Sequence, residues 1–464
     1  MSIPATISKK ARKLIGISYE EQGMPYVEQV DSEGNRVNVV EQKIYIKKSF
    51  MTIPSSLRLI HTNKLLRTPS LLPIISNLQD LPYKYKPINN GKNKEIRDVT
   101  VERLIIGGGT SGLASMRENS LLITREELGD ILFDEYTLER SFIIEELKKL
   151  YKYYQNHIIS GRFLGKFDEG LVFDTVDQIL IVKANEIVLA GGGRCLKPIF
   201  PGNNTPGIVS REFYLKRLKN KFQKILVLGY TDLAARTALH AKKSTILVPN
   251  NITISLSPYY KEQLDKKGVE ISNGNIYNIE SNNGKLIVQT DKTTLEADLI
   301  VFSVSKQPRL EITSSVGIGY IYDAGRHLYV PVHDQLGRNK NLFIVGGMRG
   351  IDNEYLSYLS GKASKGEEID RFLEELKKYN PNQQNESPYN YGNGGIVCEC
   401  EDISMEDINF ALSLGIEKDV EKLKRITGLG TGHCQGKACT INLGDYLKSS
   451  RLISYRSPIY PVIL

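Results

Sequence analysis

The sequence predicts an α/β protein closed by a small helical, cysteine-bearing unit. Three observations point there. A buried-strand pattern runs into a G-x-G-x-x-G turn at residues 101–112, VERLIIGGGTSG. A second strand–turn–helix–strand pattern fills residues 224–248, KILVLGYTDLAARTALHAKKSTILV. Four of the five cysteines crowd into the last 67 residues as C-x-C and C-x4-C, with 33 residues between the pairs. Strands alternating with helical patterns build parallel sheets, and each such unit needs cover on both faces.

The chain of 464 residues has room for roughly two to four domains. With 41% hydrophobic and 25% charged residues it can bury a core, which excludes wholesale disorder. No run approaches the ~18 apolar residues of a membrane span. The opening MSIPATISKKARK is basic without an apolar stretch behind it, so no secretory signal is expected and the location reads as cytoplasmic. Five cysteines are too sparse for a disulfide-built secreted protein. The net charge is +8, and residues 1–100 hold 16 Lys/Arg against 9 Asp/Glu, so nearly all the excess sits in the first fifth. The plain reading is a solvated surface; the sharper one is a docking face for an acidic partner. The basic residues are scattered and lack any nucleic-acid-binding pattern, so no nucleic acid is expected.

Taken in order, residues 1–99 form a basic extension. YVEQV, a DSEGNR turn and VNVVEQKIYIKKSF read as a hairpin. The run 57–78, LRLIHTNKLLRTPSLLPIISNL, is too apolar for a free tail, so the extension is read as a subunit-docking segment. Residues 100–375 carry the nucleotide-binding patterns. In the first, Gly107, Gly109 and Gly112 each answer to a missing Cβ: a tight turn, close approach to a pyrophosphate, and helix packing. Thr110 and Ser111 lie inside the turn. The next strand is LLIT, which places Thr124 where an acid usually holds the ribose; Arg125 and then Glu126, 19 positions beyond Gly107, follow it. Residues 224–305 read as an inserted second unit. Its loop keeps Gly229 but has Thr231 and Ala234 in place of the next two glycines, which argues against a working pyridine-nucleotide site. Residues 376–393, rich in Asn, Gln and Pro, read as a linker.

Residues 394–464 hold Cys398, Cys400, Cys434 and Cys439. Ile408, Ala411 and Leu412 recur at helical spacing, Gly415 ends that helix, and Val420, Leu423 and Ile426 suggest a second. A helix–turn–helix can fold the two loop-borne pairs together. Thiolates bind soft metals and iron–sulfur clusters. C-x-C is tight for chelating one tetrahedral ion, so a [2Fe-2S] cluster is favoured, with zinc, a disulfide or reduced buried thiols as alternatives. The histidines at 61, 157, 240, 327 and 333 read as surface or packing residues, whereas His433 adjoins a ligand.

VCECEDIS followed by KRITGLGTGHCQGKAC resembles the [2Fe-2S] module of bacterioferritin-associated ferredoxin. It resembles still more the variant in alpha subunits of heteromeric flavin-dependent amine and amino-acid dehydrogenases, such as sarcosine oxidase, dye-linked L-proline dehydrogenase, opine oxidase and hydrogen cyanide synthase. Lys424, Arg425, Thr427, Gly430, Gly432, Cys434, Gln435, Gly436 and Cys439 match in order; Gly428 and Lys437 stand where Arg is usual. EIVLAGGGRCLKPIFPGNNTPGIVSR, with Ala190, Gly191 and Gly192 at a strand end, is similar to a signature of flavoproteins with two dinucleotide-binding domains. LEADLIVFSVSKQPRLEI and NLFIVGGMRG resemble the closing elements of that fold, with Gly346-Gly347 where Gly-Asp is usual.

The resemblance covers about residues 100–464. It implies an α/β flavoprotein with two dinucleotide-binding domains and a small C-terminal helical iron–sulfur domain. Its expected cofactors are a [2Fe-2S] cluster and an adenine nucleotide, FAD before NAD or ATP, with FMN at a subunit interface in some members. Its expected partners are a flavin-bearing catalytic subunit, with small ferredoxin-like subunits as further candidates, and an external electron acceptor. Substrate oxidation belongs to the partner, and no catalytic residue is assigned here. The other readings are a self-contained NAD(P)H-dependent reductase and a non-enzymatic scaffold.

Overall fold

The computed structural model describes residues 94–460 apart from 128, 283, 380–382 and 433, together with the backbone of three short strands nearer the N-terminus. Among those strands, Pro25–Val30 pairs antiparallel with Arg36–Val37 and with Leu14–Tyr19, while the DSEGNR turn expected between the first two lies largely outside the described residues. The apolar run 57–78 and His433 lie outside the described residues.

The first sheet has seven strands, in the order Arg338–Asn339, Leu342–Ile344, Gln178–Leu189, Glu95–Gly108, Ser120–Glu127, Ile158–Lys166, Leu171–Thr175. From Leu342–Ile344 to Ile158–Lys166 the neighbours are parallel. The sequence explains why this part lies inside. Leu104, Ile105 and Ile106 form a continuous apolar run, and alternate residues serve opposite faces. Leu104 and Ile106 pack with Ile123, Phe163 and Phe173. Ile105 packs on the other face with Ile143 and Leu147 of the helix Arg140–Tyr154 and with Leu356 and Leu359 of the helix Glu354–Ala363.

The second unit has five parallel strands, in the order Ile208–Ser210, Leu299–Phe302, Lys224–Leu228, Lys243–Val248, Glu270–Asn273. An antiparallel meander, Ile276–Asn282, Lys285–Thr290 and Thr294–Ala297, accompanies it. The sheet starts before residue 224, because a strand of three residues, Ile208–Ser210, is too short to carry a readable period.

The C-terminal unit pairs Ile396–Cys398 with Ile403–Ser404 and adds the helices Met405–Ser413, Val420–Thr427 and Cys439–Leu447. Ser404 and Asp407 form a capping box, Asp419 caps the second helix, and Gly428 ends it in the left-handed region at φ 80°. Ile408, Ala411, Val420 and Leu423 are buried as their spacing predicts, but Ile426 is 48% exposed. This unit shares one apolar cluster with the second sheet: Leu226 and Val301 belong to the same core as Cys398, Leu423 and Ile441.

The polar stretch 376–393 is no solvated spacer. The helix Ile369–Lys378 runs into it, and Tyr389 and Tyr391 are fully buried. At least one of its amides bonds the second unit. Gln384 exchanges two hydrogen bonds with the backbone of Thr253, at 3.1 and 2.9 Å. No helix among the described residues is long and apolar enough to cross a membrane.

Candidate functional site

Two sites face each other across the contact between the first unit and the C-terminal unit. The first is a cleft at the carboxyl ends of the first sheet. Gly107, Gly109, Thr110, Ser111, Thr124, Arg125, Ala190, Gly191, Gly192 and Gly347 all line it. A Cβ built on Gly109 or Gly192 would meet no atom within 4 Å. The backbone is therefore bare where it faces the cleft, as close approach of a pyrophosphate requires. Gly112 and Gly346 do not line the cleft and serve packing. A Cβ on Gly112 would lie 1.9 Å from the Gly107 carbonyl oxygen, and one on Gly346 would lie 2.4 Å from Ser111 Oγ. Thr124 braces the turn: its Oγ1 accepts from the Gly108 amide at 2.9 Å. The side chain of Glu126 lies outside the described residues.

Other lining residues carry no local motif. Asp130, Arg162, Lys306, Arg309 and Tyr460 converge on the cleft from separate segments. Only Lys306 and Arg309 sit in a stretch, SVSKQPRLEI, that the sequence marks. Burial acts to raise the Asp130 carboxyl, but the Lys306 ammonium, 2.9 Å away, and Lys216 outweigh it and hold the group well below the usual carboxylate range. Arg125, Arg162 and Arg309 give the lining further positive charge, suited to phosphate. Among the described residues, no cysteine or histidine lines this cleft.

The second site is the meeting of the four C-terminal thiols. Cys398, Cys400, Cys434 and Cys439 are all buried, and none is in a disulfide. All four belong to one buried cluster, and their thiols influence one another's ionisation: Cys400 and Cys434, Cys434 and Cys439, Cys439 and Cys398. Hydrogen bonds from Cys400, Cys439 and the Gly436 amide hold the Cys434 thiol well below its usual value. Cys400 and Cys439, as donors in a buried site, are pushed up. Gly432 lets the two segments meet, since a Cβ there would lie 2.5 Å from Cys400 Cβ. Among the described residues, no three His, Cys, Asp or Glu side chains form a ready single-ion site. Four soft donors gathered from two sequence pairs into one buried cluster fit a two-iron cluster better than a single ion. Cys195 stands apart, its buried thiol against Glu212.

Tyr460 joins the sites. Its ring lines the cleft, with the Arg162 guanidinium 5.5 Å and the Lys437 ammonium 5.1 Å from its centroid. Lys437 Nζ in turn donates to the Cys434 carbonyl at 2.8 Å. Burial, with Arg194 nearby, pushes the Lys437 ammonium down to about 8, while Cys434 and Cys400 act the other way.

The matching crevice of the second unit is covered. Tyr391 donates from its hydroxyl to the Leu247 carbonyl at 3.3 Å, its own carbonyl accepts from Ile276, and Tyr389 bonds Ser305. These partners all lie just inside or beyond the carboxyl ends of the second sheet's strands, where a dinucleotide would otherwise bind.

A family profile described as pyridine nucleotide-disulphide oxidoreductase matches residues 102–355, more than half of the chain. The chain belongs to the pyridine nucleotide-disulphide oxidoreductase family. A second profile, a BFD-like [2Fe-2S] binding domain, matches residues 396–449 and takes in all four converging cysteines. The molecule is thus an oxidoreductase of flavoprotein fold with a [2Fe-2S] domain for electron transfer. As a pyridine nucleotide-disulphide oxidoreductase it departs from the name in one respect: no dithiol faces its cleft among the described residues.

Among solved structures, L-proline dehydrogenase from P. horikoshii is similar, with a TM-score of 0.63, 22% identity and 80% of each chain covered. That likeness is one of fold. An HOCl-induced flavoprotein disulfide reductase from Escherichia coli is more distant, at TM-score 0.45, 18% identity, 58% of this chain and 71% of that one. Thioredoxin reductase from Lactococcus lactis gives TM-score 0.45, 20% identity, 60% of this chain and 100% of that one. No curated protein matches the chain.

Proposed function

We propose that this chain is the nucleotide-binding, electron-relaying alpha subunit of a heteromeric dye-linked dehydrogenase acting on the C–N bond of an amine or amino acid of the proline or sarcosine type. The observation that carries the reading is the pairing of a bare-backboned nucleotide cleft with a four-thiol site, joined through Tyr460 and Lys437. A relay needs two electron carriers held close and needs no group to abstract a proton from substrate. Among the described residues, the cleft lining has no histidine or cysteine to do so. The likeness in fold to L-proline dehydrogenase from P. horikoshii supports the substrate class by analogy only.

When bound, a flavin supplies exchange between electron pairs and single electrons, and a [2Fe-2S] cluster supplies single-electron transfer. The chain's own residues have defined tasks. Gly109, Thr110 and Ser111 present backbone to the nucleotide, FAD being the favoured occupant. Arg125, Arg162 and Arg309 supply positive charge, Thr124 fixes the glycine turn, and Cys398, Cys400, Cys434 and Cys439 hold the cluster. An FMN site at a subunit boundary and a cytoplasmic location belong to the same reading. The basic segment 1–99 would dock the flavin-bearing partner.

A self-contained NAD(P)H reductase is less well supported, because Tyr389 and Tyr391 occupy the second unit's crevice. The test is activity by composition. The isolated chain should oxidise neither proline nor sarcosine and should not be reduced rapidly by NADH; the complex with its co-purifying partner should reduce an artificial dye. Full amine turnover by the lone chain, or fast NADH reduction, would contradict the assignment.

A further inference from the structure

Lys437 is a buried cation with no buried anion to match it. It is 2% exposed, and among the described residues no carboxylate oxygen lies within 4 Å of its Nζ. Its neighbour Arg194, equally enclosed, is paired with Glu311. The polar group Lys437 does meet belongs to the thiol site: its Nζ donates to the Cys434 carbonyl at 2.8 Å. A desolvated ammonium without a counter-charge is costly unless something else supplies one.

Four thiolates around a two-iron, two-sulfide core supply it. Such a core carries a net negative charge when oxidised and one more when reduced. Reduction adds one electron, from a reduced flavin in turnover or from dithionite in vitro, and no bond forms or breaks. A fixed positive charge in a dry site therefore favours the reduced form more than the oxidised one. Resting on the reading that the four cysteines hold a [2Fe-2S] cluster, we propose that Lys437 is the positioning residue that supplies the cluster's counter-charge and sets its reduction potential upward. The Tyr460 ring, which lines the cleft, lies against both Lys437 and Arg162.

The test is an anaerobic redox titration of the full chain, in its complex where a partner co-purifies, read by visible and paramagnetic-resonance spectra. Lys437→Met removes charge and hydrogen bond together. Lys437→Gln keeps a donor for the Cys434 carbonyl but removes the charge. Lys437→Arg keeps the charge. At one fixed ambient potential the ratio of reduced to oxidised cluster should fall about tenfold in both Met and Gln variants, a midpoint ~59 mV lower for one electron, and stay near wild type in Arg. A wild-type midpoint in Lys437→Gln would assign the effect to the hydrogen bond and overturn the proposal. Loss of the cluster from both neutral variants with retention in Arg would make the charge an assembly requirement instead, and would also overturn it. Iron and sulfide assays precede the titration; a wild-type chain with neither would fail the cluster reading itself.

Discussion

Gly109 and Gly112 are three residues apart and answer to different constraints. Gly109 faces open space and Gly112 faces the Gly107 carbonyl at a separation no Cβ can tolerate. Their variants should therefore fail in different ways. Gly109→Val should fold with little change in melting temperature, yet release several-fold less adenine nucleotide on heat denaturation, because the new side chain fills the space a pyrophosphate needs. Gly112→Ala should cost stability first, on the order of 1–3 kcal/mol or more, since backbone must move to admit one methyl group. Mass analysis of what the wild type releases decides between FAD, NAD and ATP. Release of no nucleotide from the wild type would mean the turn is vestigial.

The helix Cys439–Leu447 connects the thiol site to the rest of the molecule, and Asp445 is its anchor. Asp445 accepts from Tyr322 at 2.6 Å, bonds Ser387, and lies 2.8 Å from His327 Nδ1. Burial lowers the His327 imidazolium, but the hydrogen bond and charge of Asp445 outweigh it, so its value is raised above 6.5. A raised value means that the folded state holds the proton more tightly than the unfolded one. The resulting stabilisation is fully present below pH 6.5 and is lost as pH climbs through the raised folded value. Wild type should thus lose part of its thermal stability as pH rises above 6.5 and through the raised folded value, and His327→Gln should lose less over the same rise. Parallel melting curves would refute this docking role.

Local elements were legible in the sequence where a periodic pattern or a cap marked them. Gly415 marked the end of the first C-terminal helix, and Cys398 to Cys439 supplied the members of the four-thiol site. What stayed hidden depends on contacts between distant segments. Tyr460 reaches the cleft from the end of the described chain. Tyr389 and Tyr391 sit in a stretch whose Asn and Gln content suggests solvent, yet both are buried and the Gln384 amide satisfies the backbone of Thr253 in the second unit. Composition reports how polar a segment is and not whether its polar groups have found partners.

For the whole molecule, the two sheets do different work. The first keeps a lined, open cleft. The second has its crevice closed by the segment between the two profile matches and serves as the platform on which the thiol unit packs. Under the proposed function, the first sheet's cleft is the entry for electrons and the four cysteines are the exit. That direction is the central claim, and Cys434→Ser tests it most directly. The variant should lose its iron and sulfide while keeping its nucleotide. In stopped-flow kinetics of the variant complex, substrate should still reduce the partner's flavin at nearly the wild-type rate, whereas transfer to the physiological acceptor should slow by at least about tenfold. Collapse of flavin reduction itself, or acceptor transfer at the wild-type rate without the cluster, would contradict the account.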